Sequence, residues 1–140
     1  MPKALNYEAR IMNQEAIKIK SFTQLNTWKE AHRLVLDIYR LTKNFPREEQ
    51  FGLTNQVRRA VISITSNIAE GFSRNSYKEK SQFYSMALGS LSEVQNQLLI
   101  ARDLGYITQS EFTKLANQTI TISKLLNGLI KKSKTMIRDS

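Results

Sequence analysis

Apolar residues recur every three or four positions in four stretches of this chain, the period of an amphipathic helix. Between Leu53 and Arg74, the positions Leu53, Val57, Ala60, Val61, Ile64, Ile68 and Phe72 fall on one side. A second line runs beside them at the same spacing: Gln56, Arg59, Ser63, Asn67, Glu70 and Arg74. It mixes both charges with carboxamides and small hydroxyls, and it holds no lysine. Such a line reads as a second packing surface. Glu70 can pair with an arginine and Asn67 can bond across a seam, so Gln56, Arg59, Ser63, Asn67 and Glu70 are expected to form a polar network between helices or subunits. A ligand site is the alternative reading.

Three further helices follow from the same pattern. Trp28, Ala31, Val35, Ile38, Thr42 and Phe45 form a heptad-like seam, and Pro46 closes it, because the residue before a proline is pushed out of helical geometry. Thr27 and Glu30 have capping-box spacing at its start. Leu34 and Leu41 widen the seam on one flank; Leu25, His32, Leu36 and Tyr39 widen it on the other. The apolar arc exceeds the roughly 100° stripe of a helix docked on a single core, so this helix is expected to be buried twice. Those four flank residues are the candidate oligomer interface. Ser76 with Glu79, and Thr108 with Glu111, repeat the capping signature for two later helices. Phe83, Ala87, Ser90, Val94, Leu98 and Ala101 form the seam of the first, and Gly105 stops it. Gly89, among small neighbours, suits a close helix approach. Phe112, Leu115, Thr119, Ile122, Leu126 and Leu129 form the seam of the last.

The predicted helices span about 26–45, 49–73, 77–104 and 109–131. Glu48 and Glu49 are placed for the positive end of the second. Residues 1–21 read as a loosely ordered N-terminal extension, 22–132 as the bundle, and 133–140 as a basic tail. Short connections between long helices predict an all-α, antiparallel up-down-up-down four-helix bundle.

Composition narrows the functional classes. The chain has 140 residues, 5 Gly, 2 Pro and no Cys, which suits one helical domain and removes disulfides, thiol catalysis and cysteine-based metal sites. Lys and Arg number 21 against 12 Asp and Glu, a net charge of +9 that favours phosphate backbones or acidic partners. Residues 1–75 hold 12 basic and 7 acidic groups and residues 76–140 hold 9 and 5, so the excess is spread along the sequence. With no apolar run of membrane-spanning length and no apolar signal core, a cytoplasmic location is expected.

The words WKEAHRLVLDIYRLT, FGLTNQVRRAVISITSNIAEG, FYSMALGSLSEVQNQL and ARDLGY, in that order, resemble the bacterial four-helix-bundle family, also called the 23S ribosomal RNA intervening-sequence protein family. The match covers about residues 21–130. The resemblance implies a compact four-helix protomer and a ring-like homopentamer. It also relates the chain to the accessory variability proteins of diversity-generating retroelements, which are basic pentamers that bind a reverse transcriptase and nucleic acid.

Catalytic chemistry finds little support. His32 is the sole histidine and sits on an apolar flank, where packing outweighs catalysis; no second ligand type stands at metal-binding spacing. The glycines are dispersed, so no phosphate-cradling loop can be drawn. No enzyme activity, cofactor or metal is expected. The basic residues Arg58, Arg74, Lys78 and Lys80 cluster around the second helix and the following turn, and Lys131, Lys132 and Lys134 close the fourth. An antiparallel bundle would bring the end of helix 2, the start of helix 3 and the end of helix 4 together. The expectation is therefore a non-enzymatic oligomer that binds RNA or DNA non-specifically through backbone phosphates. The alternative is an adaptor or assembly hub with an acidic protein partner, such as a reverse transcriptase.

Overall fold

The structure, a computed structural model, describes residues 19–139. The expected extension over 1–21 therefore lies almost wholly outside the described residues. Within them the chain forms four α-helices and no strand: α1 (Asn26–Thr42), α2 (Leu53–Ser73), α3 (Tyr77–Asp103) and α4 (Gln109–Asp139). Two 3-10 turns, Phe22–Gln24 and Arg47–Glu49, precede α1 and α2. α1 packs on α2 and α4, and α3 packs on the same two, so the helices close a four-membered bundle around one core.

The core is built from the predicted seams. Ala31, Leu34 and Ile38 of α1, Val57, Val61, Ile64 and Ile68 of α2, Ala87, Leu91, Val94 and Leu98 of α3, and Leu115, Ile122 and Leu126 of α4 are all buried. Burying one such aliphatic side chain contributes roughly 1.5–3 kcal/mol, which is why the three-to-four period outweighs the β-branched content of α2.

The helix ends show how local chemistry sets the boundaries. α3 starts at Ser76, whose hydroxyl accepts from the Glu79 N–H, 3.1 Å away. It stops where Gly105 takes φ 79°, a left-handed conformation that glycine adopts without steric cost. There the Gly105 N–H donates to the Arg102 carbonyl and the Tyr106 N–H to that of Ala101, satisfying two terminal acceptors. Thr108 and Glu111 form the full reciprocal box, Thr108 N–H to Glu111 Oε1 at 2.8 Å and Glu111 N–H to Thr108 Oγ1 at 3.0 Å.

One cap and three boundaries differ from the sequence reading. α1 begins without a side-chain cap at Leu25; Thr27 is buried, and the capping box belongs to Ser21 and Gln24 of the preceding 3-10 turn. α1 ends at Thr42 rather than Phe45, since the chain must leave helical geometry before Pro46. α2 begins at Leu53, because residues 47–49 form their own 3-10 turn. α4 continues to Asp139 where a tail was expected from 133: Ile130 and Ser133 are buried and hold the extra turns on the bundle.

Candidate nucleic-acid interface and outer faces

Charge is uneven once the helices are in place. α3 carries three basic side chains (Lys78, Lys80, Arg102) and three acidic ones (Glu79, Glu93, Asp103). α4 carries six basic (Lys114, Lys124, Lys131, Lys132, Lys134, Arg138) against two acidic (Glu111, Asp139). All six are exposed. Lys124, Lys131 and Arg138 recur every seven residues, two turns apart, and so share one face of the helix. Lys131, Lys134 and Arg138 also line a groove of about 380 Å³ with Asn127, Ile130 and Thr135. Arg138 lies 3.8 Å from Asp139, a weak exposed pair; Lys131, Lys132 and Lys134 have no acidic partner among the described residues.

The seven predicted phosphate-binding residues divide into two groups. Lys78, Lys131, Lys132 and Lys134 are exposed and unpaired among the described residues. Arg58, Arg74 and Lys80 are engaged within the fold. Arg58 donates from Nε to Thr42 Oγ1 at 2.8 Å and from Nη2 to the Tyr39 carbonyl at 3.4 Å, and its guanidinium lies 4.6 Å above the Tyr39 ring. It therefore closes the C-terminal end of α1, where a cation complements the exposed carbonyls. Lys80 does the same for α2, donating from Nζ to the Phe72 carbonyl at 2.6 Å and the Gly71 carbonyl at 3.3 Å. Desolvation by burial pushes the Lys80 ammonium below its ordinary pKa. Arg74 pairs with Glu70 at 3.0 Å and stacks 4.6 Å over Phe83.

The predicted polar line on α2 also divides. Ser63 and Ser90 share a hydroxyl–hydroxyl bond of 2.8 Å between α2 and α3, and the Asn67 amide donates to the Ser63 carbonyl at 2.9 Å and to Ser63 Oγ at 3.1 Å. This is an inter-helix network. Glu70 joins Arg74 instead, while Gln56 and Arg59 border an open groove of about 590 Å³ between α2 and α3.

The candidate interface on α1 is largely occupied by the protomer itself. Leu25 packs against the core, His32 stacks on Trp28 at 4.5 Å and 13°, and Tyr39 lies under Arg58. Trp28 in turn meets Phe22 edge-on at 5.4 Å. Only Leu36 of the four is exposed, at 42%. The close helix approach falls at Gly71, not Gly89. A Cβ on Gly71 would stand 2.7 Å from Tyr84 Cε1, whereas nothing lies within 4 Å of one on Gly89.

Two features go beyond the sequence pattern, which places Glu49 at the start of α2 without its tie to Tyr106. Glu49 accepts from the Leu53 N–H through Oε1 at 3.2 Å and from the Tyr106 hydroxyl through Oε2 at 2.8 Å, tying the α1–α2 turn to the α3–α4 turn. These bonds hold the Glu49 carboxyl below its ordinary pKa; the same carboxylate, with burial and Glu48, raises Tyr106. The other is Phe51, 88% exposed at the mouth of the α2–α3 groove. An aromatic stranded in a polar turn was the available signal. Among the described residues no cluster of three or more His, Cys, Asp or Glu could hold a metal, and no helix is long and apolar enough to cross a membrane.

The family model described as 23S rRNA-intervening sequence protein matches residues 23–128. A solved structure from Bacteroides thetaiotaomicron, described as a protein of unknown function from the S23 ribosomal protein family, has the same fold. It is 24% identical, superposes with a TM-score of 0.70, and the match covers 75% of this chain and 98% of that one. No curated protein matches the chain.

Proposed function

The chain belongs to the 23S rRNA-intervening sequence protein family, and on that premise we propose that it is a non-enzymatic, oligomeric nucleic-acid-binding protein of the cytoplasm. Binding is through backbone phosphates, without base reading. The observation that carries this is the exposed basic face of α4, with Lys131, Lys132 and Lys134 free of acidic partners among the described residues and Arg138 beside them. Unpaired exposed ammonium groups are the chemistry that displaces counterions from a phosphate chain.

The helices run antiparallel in this reading. Its support is that neighbouring residues pair rising numbers on one helix with falling numbers on the next: Ser63 with Ser90, then Gly71 with Tyr84. Gln95 donates to Thr119, and equal steps from that pair in opposite directions reach Ser81 and Ser133, both buried. That register sets Lys78 beside the last turns of α4. Association into a ring, five copies in the form the resemblance implies, would repeat this cationic end and turn weak binding into avidity.

The test is affinity for a short RNA duplex, a single strand and a DNA duplex, each titrated with salt. The reading expects all three to bind, with log affinity falling linearly against log salt. Affinity that ignores salt, or no binding at low salt, contradicts it. A protein retained on the immobilised chain after nuclease treatment would favour the adaptor reading instead.

A further inference from the structure

The Gln56 and Arg59 side chains take no part in the bonds that join α2 to α3; both line the open groove of about 590 Å³ between these helices. That volume admits a small molecule. The Ser63–Ser90 hydroxyl pair lies in the groove wall, and the small, buried Ala60 gives the groove its depth. Phe51 stands at the mouth with its ring 88% exposed.

Polar groups in this groove lack partners. Arg59 and Glu93 both line it, and neither has an ion pair among the described residues. Gln97, 8% exposed, also lines it, and its amide oxygen is buried with no donor among those residues. A buried acceptor left unpaired is disfavoured, so a ligand that brings a donor to it is favoured. The unmatched groups are sorted by helix. Glu93 and Gln97 stand four residues apart on one side of α3, so a carboxylate and an orphaned amide oxygen adjoin. From the other wall α2 presents the Arg59 guanidinium, which only donates.

We propose that this groove binds a free α-amino acid with an apolar side chain. The ligand's ammonium group donates to the Glu93 carboxylate and the Gln97 amide oxygen, and its carboxylate accepts from Arg59. Its side chain covers the Phe51 ring at the mouth. A ligand of one charge leaves either Arg59 or Glu93 unmatched, and a neutral one leaves both; a zwitterion matches both walls. A phosphate chain would meet Glu93 as a like charge, so this site is separate from the basic side chains of α4. It is complete within one chain, and neither its residues nor its ligand involve the nucleic-acid surface proposed above.

Calorimetric titration of the full chain tests it, with L-phenylalanine, L-leucine, 3-phenylpropionate and L-phenylalaninamide as probes. The two amino acids should bind saturably. Loss of the ammonium group in 3-phenylpropionate, or of the carboxylate in L-phenylalaninamide, should each raise the dissociation constant about tenfold or more. Arg59→Gln and Glu93→Gln, both at exposed positions, should weaken L-phenylalanine by a similar factor with helicity unchanged by circular dichroism. Gln97→Met, which keeps the side chain's length and removes its amide, should weaken it about threefold or more. Lys29→Gln, on α1, should leave binding as it is. No saturable binding of either amino acid to the parent chain overturns the proposal, and so does binding that Arg59→Gln and Glu93→Gln leave unchanged. Either single-charge probe binding as tightly as L-phenylalanine overturns the zwitterion.

Discussion

At the scale of single residues, the structure separates cations that hold the fold from those free to bind. Arg58 donates two hydrogen bonds at the end of α1 and covers Tyr39. Arg58→Ala should cost about 1–2 kcal/mol in denaturant unfolding, while RNA affinity changes little. Equal losses of affinity and stability on refolded protein would put Arg58 back among the phosphate-binding groups. Gly71 makes a sharper case. Alanine there must displace the Tyr84 ring, so Gly71→Ala should destabilise by about 1–2 kcal/mol despite alanine's better helix propensity. Gly89→Ala meets open space and should stabilise by up to about 1 kcal/mol.

Within the elements, the Glu49 junction predicts a pH dependence whose sign follows from its shifts. Glu49 titrates lower in the folded chain than in the unfolded one. Its contribution is therefore fully present above the ordinary carboxylate range and lost as pH falls through the folded value. Tyr106 titrates higher when folded, so its contribution is present below the ordinary tyrosine range and lost as pH rises through its folded value. Glu49→Gln should flatten the acid limb of a thermal-midpoint profile; an unaltered limb would show that the junction contributes nothing. This junction was illegible in the sequence because Glu49 and Tyr106 stand far apart and only folding joins their turns. The seams were legible because every helix buries one stripe, and periodicity records that directly. The end of α4 was misread because KKSKTMIRDS looks solvated; its anchors, Ile130 and Ser133, are one apolar residue and one small hydroxyl. Charge on α2 misled in the other direction, since an arginine capping a neighbouring helix is indistinguishable in sequence from one facing solvent.

For the whole molecule, one face matters most: the basic one led by α4. Counting charge along the sequence hid this, because both halves of the chain hold a similar excess. Only the assignment of exposed side chains to helices concentrates it. Lys131→Glu with Lys134→Glu should therefore weaken RNA binding at every sequence tested and reduce the log–log salt slope by about one for each phosphate no longer neutralised. The most direct measurement is amine labelling of the native chain with and without RNA duplex, read residue by residue by mass spectrometry. A basic face led by α4 predicts that RNA protects Lys131, Lys132 and Lys134 while leaving Lys29 reactive. Unchanged labelling of the three α4 lysines under saturating RNA would contradict it.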